Sequence, residues 1–178
     1  MLRGELTNLR AVERADAGLL YAWLDDPELM RLWGYGARAL SMASVQDGIE
    51  QWLAHERVLG HPVALVIESL DSEPVGLLIL SDVQLTDRSA ELSCFLDAHH
   101  RNRGFGRDAL DTFADAFFAQ WNYHRLTVRC EAMNERAHRF FASNGFRLEG
   151  HLRDARYIDG GWSDILIFGR IRGEEQGS

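Results

Sequence analysis

Residues 90–107 read Ala-Glu-Leu-Ser-Cys-Phe-Leu-Asp-Ala-His-His-Arg-Asn-Arg-Gly-Phe-Gly-Arg, and the rest of the predicted fold is arranged around them. The apolar first half is typical of a buried strand, and the glycines at 104 and 106 stand where the chain turns into an amphipathic helix. Glycines at such a turn leave backbone N–H groups open to a ligand, and the helix dipole adds partial positive charge. Arginines in the same loop add full charges. The loop therefore predicts a site for a phosphate-bearing ligand, although a glycine turn that only caps a helix has the same local pattern.

The composition is that of an ordinary globular protein. The 178 residues are 46% hydrophobic and 26% charged, which is enough to build one domain with its own core. A formal net charge of −8 argues against sequence-independent nucleic-acid binding and favours cationic substrates or partners. No apolar run approaches the ~18 residues of a membrane span, and the N-terminus has no apolar signal core. We therefore expect a cytoplasmic protein that binds neither nucleic acid nor membranes.

Hydrophobic periodicity predicts one α+β domain over residues 1–172 and a polar, frayed tail over residues 173–178. The domain should hold a mixed, mostly antiparallel sheet of about seven strands, with about four helices on its faces. Apolar and β-branched runs predict the strands, which are residues 6–12, 63–68, 75–80, 90–96, 126–130, 146–158 and 162–171. Helical spacing predicts helices that begin near Asp16, Ser44, Gly106 and Glu135.

A second motif follows the glycine loop. Residues 134–146 read Asn-Glu-Arg-Ala-His-Arg-Phe-Phe-Ala-Ser-Asn-Gly-Phe, which predicts a helix capped by Asn134 and ended at Gly145. The two stretches in this order resemble the GCN5-related N-acetyltransferase (GNAT) superfamily. The first fits the family's pyrophosphate loop, Gln/Arg-x-x-Gly-x-Gly/Ala, and the second fits its other acetyl-CoA motif, which begins Asn-x-x-Ala/Ser. The resemblance covers almost the whole chain and implies the GNAT fold.

Finer details are similar to the Rim-type enzymes, which acetylate the N-terminal residue of ribosomal proteins. They include Ala90-Glu-Leu92, Phe146-Arg-Leu-Glu-Gly150 and the stretch from Tyr157 to Asp164. Spermidine acetyltransferases share much of the pattern, including Met30-Arg-Leu-Trp33, but follow the tryptophan with acidic residues. Here Gly-Tyr-Gly-Ala-Arg follows, which argues against polyamine recognition.

The resemblance implies acetyl-CoA as the cofactor and direct acetyl transfer in a ternary complex. The pantetheine arm is expected beside the strand before the loop, as an added strand on an open edge, with a nearby backbone N–H facing the thioester carbonyl. The implied cofactor-binding residues are Cys94, Phe95, Leu96, Arg101, Arg103, Gly104, Phe105, Gly106, Arg107, Asn134 and Phe141.

Glu91 is the predicted general base, because it is a carboxylate at the start of the strand beside the expected thioester. It could equally pair with an arginine such as Arg88 or Arg125, or bind substrate without moving a proton. An α-amino group costs less than about 1 kcal/mol to deprotonate at pH 7.4, whereas a polyamine nitrogen costs about 4 kcal/mol. An N-terminal acceptor would therefore need little help from a base.

The general acid for the departing thiolate is not evident. Many relatives place a tyrosine where this chain has Phe141, and the Rim-like subgroup often has a serine where it has Ala137. Water or a side chain such as Tyr157, Ser93 or His138 could take the role.

The sequence does not determine the acceptor, and Trp33, Tyr35 and Tyr157 are expected to bind it. The favoured acceptor is the N-terminal α-amine of a protein or peptide. The alternatives are a small-molecule amine, such as a polyamine, an aminoglycoside or an amino-acid-like toxin, and a non-catalytic acyl-CoA-binding module. We expect no metal site, because adjacent histidines on an extended loop point in different directions and no ligand cluster completes a set. The protein could be a monomer or a homodimer.

Overall fold

The computed structural model describes residues 1–32 and 40–174. Within these ranges the chain forms one sheet of eight strands, ordered β1-β2-β3-β4-β5-β6-β8-β7, with five α-helices. The strands are β1 (Leu2–Arg3), β2 (Thr7–Ala11), β3 (Ala64–Ser69), β4 (Pro74–Gln84), β5 (Ser89–Leu96), β6 (Arg125–Glu131), β7 (Arg147–Ile158) and β8 (Gly161–Ile171). The helices are α1 (Ala17–Leu24), α2 (Pro27–Leu32), α3 (Met42–Leu59), α4 (Phe105–Asp115) and α5 (Glu135–Ser143).

The α+β class and the mostly antiparallel sheet are confirmed, with one strand and one helix more than predicted. The extra strand, β1, has two residues and is too short to show a period of two. The extra helix, α2, begins at Pro27, whose fixed φ suits a first helical turn. Trp33, Tyr35 and residues 175–178 lie outside the described residues, and the domain boundary at residue 172 stays a prediction. Among the described residues, no helix is both long and apolar enough to cross a lipid bilayer.

The middle of the sheet is covered on both faces: β3 is buried along its whole length, and its first four residues, 64–67, are all apolar. Leu65 and Phe113 belong to a core cluster on the α4 and α5 side. Val66 and Ile49 belong to a second cluster on the α1 and α3 side. Because successive side chains of a strand point to opposite faces, β5 also presents alternate residues to the two sides.

One pair of strands breaks the antiparallel pattern and opens the sheet. β5 and β6 run parallel, and their ladder contains only Ser89–Arg125, Ala90–Leu126 and Glu91–Thr127. Beyond Glu91, β5 continues along β4, whereas β6 continues along β8. The two strands therefore diverge from Glu91 onward and leave an opening between them.

Candidate active site

A cavity of about 300 Å³ lies at this opening, on the α4 and α5 side of the sheet. We call it the α4–α5 cavity. Its wall is formed by the end of β5, the loop that leads into α4 and the first turns of α4 and α5. The predicted residues that line it are Cys94, Phe95, Leu96, Arg101, Gly104, Gly106, Arg107, Asn134 and Phe141.

The loop before α4 reverses direction through left-handed backbone. Asn102 has φ of 61° and Gly104 has φ of 86°, and Gly104 is the residue that caps α4. Gly106 lies against Leu96 and Phe140, since a Cβ added there would come within 3.3 Å of both side chains. The first N–H groups of α4 have no partner inside the helix. They lie beside the cavity that Gly106 and Arg107 line, which suits an anion.

Two arginines make the α4–α5 cavity electropositive. Arg101 Nε donates to the carbonyl of Leu96 at 3.0 Å, which fixes its guanidinium at the end of β5. Arg136 lines the same cavity, and its pKa is lowered by burial first and then by the positive charge of Arg101, with Glu28 acting in the opposite direction. Two like charges held together in this way favour an anionic ligand between them.

The α5 side of the cavity is held by a helix cap and an aromatic side chain. Asn134 Oδ1 accepts from the backbone N–H of Ala137 at 3.1 Å, so the cap uses the amide oxygen and leaves the NH₂ group as the part that can donate to a ligand. Phe141 is 6% exposed and packs edge-on against Phe146, with ring centroids 5.4 Å apart. A phenyl ring in this wall contributes shape but no proton.

Two predicted cofactor residues point elsewhere. The Arg103 guanidinium lies 5.0 Å from the ring centroid of Phe105, so the two side chains stack on each other. Neither is among the described residues that line the α4–α5 cavity. Phe105 remains important as the first residue of α4, where its backbone N–H belongs to the helix start.

A second cavity, of about 810 Å³, lies on the other face of the sheet. We call it the α1–α3 cavity, since Trp23 of α1 and Trp52 of α3 line it together with the ends of β4, β5 and β6. Phe95 lines both cavities, and its ring packs edge-on against Trp23 at 5.3 Å. The two cavities therefore approach each other at β5, where the sheet opens.

Glu91 lines the α1–α3 cavity at the last residue pair before the strands diverge. Burial raises the pKa of its carboxyl; Arg129 opposes that shift and the charge of Asp82 adds to it. Arg129 Nε lies 3.1 Å from Glu91 Oε2. The sequence left open whether Glu91 forms an ion pair with an arginine. It does, but its partner is Arg129 of β6 and not Arg88 or Arg125. Arg125 instead pairs with Glu149.

A buried carboxylate that the sequence did not reveal lines the same cavity as Glu91. Glu131 is 2% exposed; its Oε1 accepts from Arg156 Nη1 at 2.9 Å and its Oε2 accepts from Ser163 Oγ. Its backbone carbonyl accepts from Asn134 N–H, at 2.9 Å. Glu131 thus joins the α1–α3 cavity, where Arg156 also lies, to the cap of α5.

Tyr157 is not brought to either cavity. It is 62% exposed and packs against Trp162 at the tip of the β7–β8 hairpin, with ring centroids 5.3 Å apart. Its neighbour Arg156 lines the α1–α3 cavity instead. Neighbouring residues of a strand point to opposite sides, which directs the Tyr157 side chain away from that of Arg156.

The arrangement matches one enzyme family. The family model for the acetyltransferase (GNAT) domain matches residues 7–147. The chain belongs to this family. GNAT proteins are N-acetyltransferases that use acetyl-CoA, so the predicted enzyme class and cosubstrate are confirmed.

Among known GNAT proteins, the chain is similar to a spermidine N(1)-acetyltransferase of Vibrio cholerae, with 24% identity over 92% of this chain and 91% of that protein. It is also similar to the ribosomal-protein-serine acetyltransferase of Escherichia coli, with 24% identity over 57% of this chain and 56% of that protein. A solved structure of a Vibrio cholerae spermidine N-acetyltransferase, in complex with CoA and spermine, superposes with a TM-score of 0.86. It shares 22% identity and covers 95% of this chain and 97% of that chain, which shows the common GNAT fold. These similarities support the GNAT family and do not single out the Rim-type subgroup.

The α4–α5 cavity fits acetyl-CoA in three respects. The helix start and Gly104 provide open backbone, Arg101 and Arg136 provide positive charge, and β5 beyond Glu91 provides an edge no longer paired with β6. Arg136 stands inside the quoted Asn-x-x-Ala motif, so its position in sequence was a usable signal. The sequence signal for Glu131 was weaker: it is an acidic residue directly after a predicted apolar strand.

Proposed function

We propose that this GNAT protein acetylates a primary amine of a small molecule held in the α1–α3 cavity, with a polyamine as the first candidate acceptor. The observation that carries the proposal is the position of Glu91. This carboxylate lies where β5 and β6 diverge, in the cavity across β5 from the arginines and glycines of the α4–α5 cavity. Similarity to spermidine acetyltransferases over nearly the whole chain supports the polyamine class.

Glu91 is proposed to accept the proton of the acceptor's ammonium group, directly or through a water. Acetyl-CoA supplies the acetyl thioester that the neutral amine attacks. A polyamine nitrogen costs about 4 kcal/mol to deprotonate at pH 7.4, so a base in a desolvated site contributes to such an acceptor far more than to an α-amine. Because burial raises the pKa of Glu91, its carboxyl is shifted in the direction that a base near neutral pH requires.

No covalent enzyme intermediate is proposed. Burial raises the pKa of the Cys94 thiol to about 12 and that of Cys130 to about 11, so neither is a thiolate nucleophile at neutral pH. Phe141 has no proton to give to the departing thiolate of CoA. We therefore assign that proton to water, which can reach the openings of both cavities.

A protein or peptide N-terminus is the second candidate acceptor, as the Rim-type resemblance suggests. Arg129 and Arg156 neutralise Glu91 and Glu131, which reduces the attraction of the α1–α3 cavity for a polycation. Their guanidinium groups also suit the carbonyl groups of a peptide. The partial similarity to the ribosomal-protein-serine acetyltransferase supports this candidate over part of the chain.

The deciding experiment is a measurement of thiol release from acetyl-CoA with a panel of acceptors. The panel contains spermidine, spermine, peptides that begin with Ala or Ser, several aminoglycosides and free amino acids. We expect the highest kcat/KM with a polyamine. Turnover confined to peptides would replace the first candidate by the second. No turnover with any member, while CoA binds, would contradict both and favour a non-catalytic module.

A further inference from the structure

A tight turn near the N-terminus lies against the start of α4. Gly4 N–H donates to the carbonyl of Thr7 at 2.8 Å and closes the turn. The turn presents its donors to one side chain of α4: Asp108 Oδ1 accepts from Glu5 N–H at 2.8 Å. Asp108 Oδ2 accepts from Thr7 N–H at 2.8 Å and from Thr7 Oγ1 at 2.6 Å. One carboxylate therefore satisfies several donors of a segment about a hundred residues away in sequence.

The same turn touches the loop proposed to hold the pyrophosphate. A Cβ added to Gly104 would lie 3.0 Å from Leu6 Cδ1, so the leucine packs directly over this glycine. The backbone N–H of Asp108 donates to the carbonyl of Gly104 at 3.1 Å. Leu6 and Asp108 thus hold Gly104 from two sides.

The charge of Asp108 makes this arrangement unexpected at a phosphate site. An acidic residue in the first turn of a helix competes with an anionic ligand for the helix dipole. Burial would raise the pKa of Asp108, but donation from Thr7 Oγ1 and from the N–H groups of Glu5, Leu6 and Thr7 lowers it overall. The carboxylate therefore stays ionised, and its hydrogen bonds are directed to the turn and away from the cavity.

We propose that Asp108 is a positioning residue for acetyl-CoA, which fixes the loop at Gly104 through the turn of residues 4–7. The inference rests on the proposed cofactor role of that loop. Without the Asp108 carboxylate, the loop would keep its arginines but would sample conformations in which its backbone N–H groups no longer point to one ligand. The expected consequence is weaker CoA binding with little change in the chemical step on the opposite face of the sheet.

The test is the dissociation constant of CoA, measured by titration calorimetry, together with kcat and KM for acetyl-CoA. Asp108→Asn gives the sharpest result, because the two possible roles of Asp108 predict opposite changes in the dissociation constant of CoA. If Asp108 were only a nearby charge, its neutralisation would tighten CoA binding. If it holds the turn, the amide presents N–H groups to the donors of Glu5 and Thr7, and Kd should rise about tenfold. KM for acetyl-CoA should rise with it, and kcat should stay within about twofold.

Three variants test the same contact without changing charge. Thr7→Val removes only the Oγ1 donor and should raise Kd about threefold, while Thr7→Ser should restore it. Gly4→Ala removes no hydrogen-bonding group, but its Cβ would lie 2.4 Å from Asp108 Oδ2 and 2.5 Å from Thr112 Oγ1, so the turn must move away from α4. The matched control is Gly48→Ala, since a Cβ added at Gly48 meets no atom within 4 Å. It should leave Kd unchanged.

Unchanged or tighter CoA binding in both Asp108→Asn and Gly4→Ala, with the proteins folded by circular dichroism, would overturn the proposal. A lower melting temperature with an unchanged Kd would do the same, because it would reduce the turn to a structural element. Gly104→Val separates this outcome from failure of the cofactor site. If it too leaves Kd unchanged, the loop does not hold CoA; if it alone abolishes binding, the loop assignment stands and only the role of Asp108 is lost.

Discussion

The two faces of the opened sheet are built on different principles. On the α4–α5 face, the polar lining comes from two short stretches, residues 101–107 and 134–136, and apolar side chains such as Leu29 and Ile67 complete the wall. On the α1–α3 face, the lining consists of side chains from three helices and from strands β4 to β7. A common cosubstrate can be held by a local backbone pattern, whereas an acceptor-specific surface has to be assembled from distant parts of the chain.

Their charges differ in the same way. On the α4–α5 face, Arg101 and Arg136 lie close enough that one lowers the pKa of the other, and the carboxylate of Glu28, 3.7 Å from Arg101, offsets only part of their charge. On the α1–α3 face, Glu91 and Glu131 each hold an arginine. The α4–α5 face therefore favours an anion, and the α1–α3 face carries a nearly balanced set of charges, in which small changes would alter the selectivity of the proposed acceptor site.

The largest expected effect is a loss of turnover that leaves CoA binding unchanged, which would distinguish the proposed roles of the two faces. We expect Glu91→Gln to lower kcat by about 10²–10⁴-fold, because the amide cannot accept a proton, and to leave the dissociation constant of CoA within about twofold. Steady-state kinetics with the preferred acceptor and calorimetry with CoA provide the two measurements. Asp47→Asn is the matched control: this exposed carboxylate lies in α3 and lines neither cavity. Unchanged turnover in Glu91→Gln would remove Glu91 as the base.

The lining of the α4–α5 cavity was largely predictable from the sequence because its information is local. Gly104 and Gly106 mark the loop, and Asn134 marks the cap of α5, each by residue type and spacing alone. Arg103 shows the limit of that reasoning, since only the structure places its guanidinium over Phe105 and away from the cavity. A loop sequence gives the number of charges, but side-chain direction depends on left-handed residues such as Asn102.

The residues that line the α1–α3 cavity could not be brought together from the sequence alone. Glu91 was found because it adjoins the loop stretch, but its partner Arg129 depends on where two parallel strands stop pairing. Arg156 faces the cavity and Tyr157 does not, because irregular pairing between Leu152 and Arg156 sets which residues of β7 face each side. A shift of one residue exchanges the two faces of a strand, and sequence alone does not fix that register.

A moderate effect on stability is expected from the ion pair between Glu131 and Arg156 in the α1–α3 cavity. Glu131→Gln removes the buried negative charge that faces the partly exposed Arg156, and should lower the free energy of unfolding by about 2 kcal/mol. Urea denaturation monitored by fluorescence would measure the change. Glu135→Gln serves as control, because its ion pair with Arg139 is exposed on both sides and should contribute almost nothing. Equal destabilisation by both variants would contradict the structural role of Glu131.

The smallest effect concerns the two charges that act on Glu91 in opposite directions. Arg129 lowers the pKa of the Glu91 carboxyl and Asp82 raises it. Activity requires the ionised carboxylate, so it is full above this pKa and falls as the pH drops through it. Arg129→Gln should therefore move the acidic limb of the pH profile of kcat to higher pH, and Asp82→Asn should move it to lower pH. Ionisation of the acceptor is common to all three proteins, so the differences between their profiles report on the carboxyl alone. Shifts in the same direction for both variants would contradict Glu91 as the titrating base and would transfer that role to another group in the α1–α3 cavity.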